Sequence, residues 1–105
     1  MNSIVSRSSQ IDSGTTIGHG AIINANVRIG RHCIINSLSL IEHDSVIGDF
    51  THISTGAIIN GGVEIGDCVF IGSGAIIREG VKIPSNSIIS CGERIMRWPK
   101  NSNHA

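Results

Sequence analysis

In the stretch Ile41-Glu42-His43-Asp44-Ser45-Val46-Ile47-Gly48-Asp49-Phe50-Thr51-His52-Ile53, isoleucine returns at every sixth residue. The same step runs without insertion from Ile11 to Ile95, and all fifteen positions on it are Ile. Val5 adds a degenerate unit before them. A fixed internal period takes precedence over any other reading of a chain. Four residues after each Ile sits a small or β-branched residue, as in Ala21, Val27, Cys33, Ser39, Ser45 and Thr51, until Glu93 and Pro99 break the pattern. The positions one and three after the Ile are rich in Gly and Asn, for example Gly18, Gly30, Gly48 and Gly66, and Gly14, Gly20, Asn26 and Gly62. Such residues tolerate positive φ at tight corners. The pattern predicts strand, corner, strand, corner. Period-two alternation turns the Ile and the small residue two before it inward, and their neighbours outward.

Composition supports many short strands. The chain has 105 residues, enough for one domain. Only three residues are Phe or Trp and none is Tyr, whereas 21 are Ile and 13 are Gly. An aromatic core is excluded, and so is disorder, which lacks β-branched residues. Eight Lys and Arg balance eight Asp and Glu. This excludes the basic footprint of a nucleic-acid binder, and no charge run suggests a membrane surface. The N-terminus has no apolar signal-peptide core, and no apolar stretch approaches the roughly 20 residues of a membrane span. Three cysteines at wide spacing (Cys33, Cys68, Cys91) do not make a disulfide framework. They are expected to act as small apolar groups in a reduced, cytoplasmic protein.

The hexads resemble those of the left-handed parallel β-helix, in which three hexads make one triangular coil. The resemblance implies an all-β, single-stranded left-handed β-helix of about five coils. It is expected over residues 1–97, with a polar tail over 98–105. Stepping by 18 residues then sorts the outward residues that precede each Ile into three columns. They are Ile22, Leu40, Ile58, Ile76; then Ile34, His52, Phe70, Ile88; then Arg28, Val46, Glu64, Lys82. Two columns are apolar and one is mainly polar. Exposed apolar faces mark interfaces, and two different sticky faces suit a cyclic homotrimer.

Two histidines stand out. His52 is the polar residue in an otherwise apolar outward column, which reads as an interface histidine or a ligand contact. His43 is at a corner between Glu42 and Asp44, and one coil away its column neighbours are Ala25 and Gly61. Small neighbours leave space beside the imidazole, and an adjacent carboxylate raises its basicity and fixes its tautomer, as a general base requires. Unshielded N–H groups near Gly61 could hold an oxyanion. The alternative is a solvated corner residue. His19, His32 and His104 lack an acidic neighbour in their units and read as surface residues.

The segment from Asn36 to Ala57, with Glu42-His43-Asp44 and the nine-residue step to His52, is similar to the core motif of a family of sugar acetyltransferases. That family includes sialic acid O-acetyltransferases and bacterial N-acetyltransferases for 4-amino-sugar nucleotides. The likeness extends from about Ile4 to Ile95. It implies that His43 is the catalytic base, that Asp44 raises its basicity, and that His52 contacts acetyl-CoA. It also implies that Gly61 offers an N–H to the thioester carbonyl and that Ser73 and Cys91 line the pantetheine path. The site would form between adjacent subunits of a homotrimer, with a small-molecule sugar as acceptor and no metal. Family members usually carry a Rossmann-like sugar-binding domain ahead of the β-helix, and this chain shows no GxGxxG and no βαβ unit. Two further readings stand beside the acetyltransferase. One is a non-catalytic trimeric scaffold, or a subunit that works with a separate sugar-binding chain. The other is a γ-type carbonic anhydrase, which needs three histidine ligands; His43 and His52 do not have that family's spacing.

Overall fold

A computed structural model describes residues 2–100. It contains sixteen strands of two residues each, one per hexad, from β1 (Ile4–Val5) and β2 (Gln10–Ile11) to β16 (Arg94–Ile95). All pair in parallel with the strand 18 residues away, so Ile58 pairs with Leu40 and Ile76, and His52 pairs with Ile34 and Phe70. Three sheets result, one of six strands and two of five, and they make a β-helix of about five coils. The outward columns expected from the 18-residue step are the registers observed. Sheet A carries Ile22, Leu40, Ile58 and Ile76, and sheet B carries Arg28, Val46, Glu64 and Lys82. Sheet C carries Ile34, His52, Phe70 and Ile88.

The interior is a stack of isoleucine. Thirteen successive hexad residues, Ile23 to Ile95, are each 3% exposed or less. Each fully buried side chain contributes about 1.5–3 kcal/mol relative to exposure. The small inward position closes the space between them with Ala21, Val27, Ala57, Val63 and Ala75. Where that position is a hydroxyl it is satisfied, and Ser39, Ser45 and Thr51 are buried. Ser45 Oγ donates to Asn60 O at 2.8 Å, and Thr51 Oγ1 donates to Gly66 O at 2.9 Å. Cys33 fits the same role, buried with its Sγ 3.0 Å from Gly48 O. Cys68 and Cys91 do not: both are exposed at corners.

The corners divide the two glycine-rich positions by cause. Every third position after the hexad Ile, from Gly14 to Gly92, has φ between 53° and 78°. That holds even where the residue is Leu38, Phe50 or Cys68, types for which the left-handed region is costly. Fourteen repeated corners over-determine the backbone, and the side chain has no vote. Glycine one position after the Ile has a different reason from the one expected. Gly18, Gly30, Gly48, Gly66 and Gly72 have no positive φ; they are close-approach sites. A Cβ on Gly48 would stand 2.6 Å from the Gly66 carbonyl, and one on Gly72 would stand 2.5 Å from Cys91 N. At the corner joining sheets B and C, the freed space admits a ladder of side chains. Arg31 N donates to Asp49 Oδ1 at 2.8 Å, Asp49 N to Asp67 Oδ1 at 2.7 Å, and Asp67 N to Ser85 Oγ at 2.8 Å.

At the C-terminal end Trp98, the first residue of the expected tail, packs against the isoleucine core. Lys100 Nζ lies 5.7 Å from its ring and 2.8 Å from Glu93 Oε2. Residues 101–105 of that tail, including His104, lie outside the described residues. No helix among the described residues is long and apolar enough to cross a membrane.

Candidate active site

His43 stands at the corner between β7 (Leu40–Ile41) and β8 (Val46–Ile47). Its Nδ1 is 2.9 Å from Asp44 Oδ2, and both side chains are well exposed. Adjacent residues on a strand point apart. Here the corner turns Asp44 to φ 62°, which brings its carboxylate round to the ring. The hydrogen bond to Asp44 is the main reason the imidazole is more basic than an ordinary histidine, with smaller contributions from the charges of Glu42 and Glu79. A carboxylate on Nδ1 holds the proton there and leaves the lone pair on Nε2.

Backbone bonds fix the column. Asp44 N donates to Ala25 O at 3.0 Å below, and His43 O accepts from Gly62 N at 2.9 Å above. The imidazole lies over Gly61. A Cβ built there would meet Cε1 and Nε2 of His43 at 2.7 Å, so glycine is what lets the ring occupy this place. Among the described residues the Gly61 N–H makes no hydrogen bond, whereas its carbonyl accepts from Gly80 N at 3.0 Å. The 18-residue step also shows two participants that reading the hexad alone did not single out. Glu79 is two coils above His43 in the same column, and Asn24 Nδ2 holds Glu42 Oε1 at 2.6 Å from one coil below.

His43, Asp44 and Gly61 are therefore gathered at one corner, and the other expected site residues are elsewhere. His52 projects from β9 (His52–Ile53) on sheet C, the face opposite the corner between sheets A and B. Its ring stands edge-on to Phe70, centroids 5.2 Å apart, and its Nε2 is buried without a hydrogen-bond partner. Ser73 and Cys91 are exposed at the third corner, one coil apart, where Gly92 N donates to Ser73 O at 2.8 Å. His32 is exposed and stacks on Phe50 with centroids 5.5 Å apart; His19 is exposed as well. Among the described residues, no group of three His, Cys, Asp or Glu side chains could hold a metal ion.

Comparison with known proteins finds the same repeat elsewhere. The family model for the bacterial transferase hexapeptide, six repeats, matches residues 44–79. GDP-perosamine N-acetyltransferase of Escherichia coli O157:H7 is 42% identical over 60 residues, which are 57% of this chain and 27% of that protein. A mutant of perosamine N-acetyltransferase from Caulobacter crescentus, solved in complex with CoA and GDP-perosamine, matches 92% of this chain and 49% of that one. The TM-score is 0.70 and the identity 26%. The UDP-N-acetylglucosamine acyltransferase of Francisella novicida matches 90% of this chain and 41% of its own at TM-score 0.82 and 28% identity. The chain thus spans less than half the length of each of these relatives. Period and register make this chain a β-helix of hexapeptide repeats, and it is similar to the β-helices of bacterial sugar acetyltransferases.

Proposed function

We propose that the chain is the β-helix of an acetyl-CoA-dependent acetyltransferase acting on an amine or hydroxyl of a bacterial sugar, and that it works as a cytoplasmic homotrimer. The carrying observation is the His43–Asp44 pair seated over Gly61, in a chain whose relatives are sugar acyltransferases. In this reading Asp44 holds the proton on Nδ1, and His43 Nε2 accepts the acceptor's proton as its nitrogen or oxygen attacks the thioester carbonyl. The new bond forms to the acetyl carbon, the thioester bond breaks, and the departing thiolate takes the proton from His43 Nε2 to leave as the CoA thiol. The Gly61 N–H is the donor for the developing oxyanion. No covalent enzyme intermediate is required.

The positions of the residues support this assembly. His52 cannot share a site with His43 of its own protomer, because a face and its opposite corner do not converge. Two subunits side by side bring the corner of one to the face of the next. The apolar outward residues favour this packing: Ile34 is 43% exposed, Phe70 39% and Ile88 71%. A buried, unpartnered nitrogen such as His52 Nε2 costs about 1–3 kcal/mol, and acetyl-CoA bound on sheet C would offer it a partner. Ser73 and Cys91 border the same face and continue that path toward the C-terminal coils.

Calorimetric titration with acetyl-CoA tests the reading on wild type and on His52→Ala. Micromolar binding at three sites per trimer, weakened in His52→Ala, supports it. Absence of binding at millimolar concentration moves the assignment to a trimeric scaffold or to a subunit that needs a separate sugar-binding chain.

A further inference from the structure

The two ends of the β-helix differ. At the C-terminal end Ile95 is buried and Trp98 packs against the isoleucine core. At the N-terminal end the core is open: Ile4 is 62% exposed and Val5 40%, and Ile11 and Ile17 are only partly buried. Among the described residues, β1, β2 and β3 (Thr16–Ile17) are the outermost strands of sheets A, B and C there, each paired on one side only. Gln10 N and Asp12 N donate to Val27 O and Ile29 O of the next coil, so Ile11 between them turns its N–H and C=O to the open side. Val5, between Ile4 and Ser6, and Ile17, between Thr16 and Gly18, do the same. The outward residues of these edges, Ile4, Gln10 and Thr16, include no charge and no proline, the usual devices that keep an edge strand from pairing with another chain. On the β3 side of this end lies a notch of about 520 Å³ bordered by Ser3, Thr16, Ile17 and His19.

We propose that this end docks a second copy of the chain, N-terminal end to N-terminal end, about a two-fold axis through sheet B. A two-fold pairs the facing strands antiparallel, and two independent observations select this axis from the three that the triangular coil offers. The first is helical rise. Each strand of a coil stands a third of the coil above the last, about 1.6 Å of a 4.8 Å spacing. With the axis through sheet B, β2 meets the partner's β2 and β1 meets the partner's β3 at its notch, and all three gaps are equal. An axis through sheet A or sheet C leaves the gaps unequal by a whole coil, about 4.8 Å, and the ladder cannot close. The second is charge. Residues 4–18 carry two formal charges, Arg7 at the corner joining sheets A and B and Asp12 at the corner joining sheets B and C, both exposed. The axis through sheet B brings each Arg7 to the partner's Asp12. An axis through sheet A sets Asp12 against Asp12, and one through sheet C sets Arg7 against Arg7. Exposed ion pairs choose a register more than they strengthen it. Ile11 then faces the partner's Ile11, and Val5 the partner's Ile17. The open backbone groups pair, and the isoleucine stack runs on through both copies.

The same axis leaves the molecule by the corner between the apolar sheets A and C, and so points at the three-fold axis of the proposed trimer. The two symmetries close as a hexamer of two trimers. The molecule is 20 Å across. A triangular end of that width offers about 200 Å², and one pair buries about 400 Å² in total, too little for a specific interface. Three pairs at once reach about 1,200 Å², the lower limit of that class. The strength of the pairing therefore rests on the trimer reading, whereas its axis does not.

Sedimentation velocity of the full chain over a range of concentrations tests the pairing on wild type, Arg7→Asp, Asp12→Arg and the charge-swapped double variant. Wild type is expected to pass from trimer to hexamer as concentration rises. Each single reversal sets like charges across the axis and should weaken that step about tenfold or more. The double variant should restore it. So should an equimolar mixture of the two single variants, in which each copy supplies the charge the other lacks. Both positions are exposed, and circular dichroism checks that the β-helix persists. Trimers at every concentration overturn the pairing and leave the trimer reading standing, and so do hexamers indifferent to both reversals. Dimers that the single reversals dissolve and the mixture restores support the pairing and refute the trimer. Monomers throughout overturn both.

Discussion

Asp44 reaches the imidazole of His43, its immediate neighbour, at 2.9 Å because the corner holds Asp44 in the left-handed region at φ 62°. The strain of that backbone is imposed by the coil, and the result is a carboxylate–imidazole pair displayed at an edge. A free histidine in water would spend little time in such a pair, so the fold supplies the orientation that a general base needs.

The base acts only when neutral, so acetyl transfer is expected to fall as pH drops through the raised pKa of His43. Asp44 is the main cause of that rise. In Asp44→Asn the acid limb of the pH–rate profile therefore moves to lower pH, and the plateau rate falls because the tautomer is no longer fixed. His43→Ala should lower the rate by about 10²–10⁴-fold at any pH. An acid limb that stays in place in Asp44→Asn would separate Asp44 from the titration.

Gly61→Ala is expected to disable the site and leave the fold intact. The new Cβ meets the His43 ring at 2.7 Å, and an exposed ring can swing away without disturbing the core. Gly62→Ala is the counterpart. No atom lies within 4 Å of its Cβ, but φ is +67°, so the cost is backbone strain of about 1–2 kcal/mol. Activity and melting temperature should therefore change separately in the two variants.

At Gly48 the obstacle is backbone. A Cβ would stand 2.6 Å from the Gly66 carbonyl of the next coil, and neither side can rotate away. Gly48→Ala should destabilise by about 1–3 kcal/mol in denaturant unfolding. A stability equal to wild type would mean that the coils can separate locally, which an uninterrupted ladder argues against.

Ile59 is fully buried and its neighbour Ile58 is an outward residue of sheet A. Ile59→Ala should cost about 2–5 kcal/mol in the folded protomer. Ile58→Ala should cost far less there. Phe70→Asp on sheet C should convert the proposed trimer to monomers in sedimentation velocity while the far-ultraviolet spectrum of the β-helix persists. A trimer that survives Phe70→Asp would place the interface on other faces.

The sequence by itself determined the coil. Fifteen isoleucines at a strict step of six fix which residues are buried, and 18-residue arithmetic fixes which residues stack, because a parallel ladder with no insertion has one register. That arithmetic already placed His43 over Gly61. Only the tertiary structure decided what the corners do. The positive φ of Phe50 and Leu38 is not a preference of those residues, so their own chemistry could not announce it. The glycines of Gly48 and Gly66 looked like turn residues and proved to be points of close approach between coils, a property of the neighbouring coil and not of the residue. The same holds for Trp98, which packs against the isoleucine core beyond the last strand, a contact that no periodicity encodes.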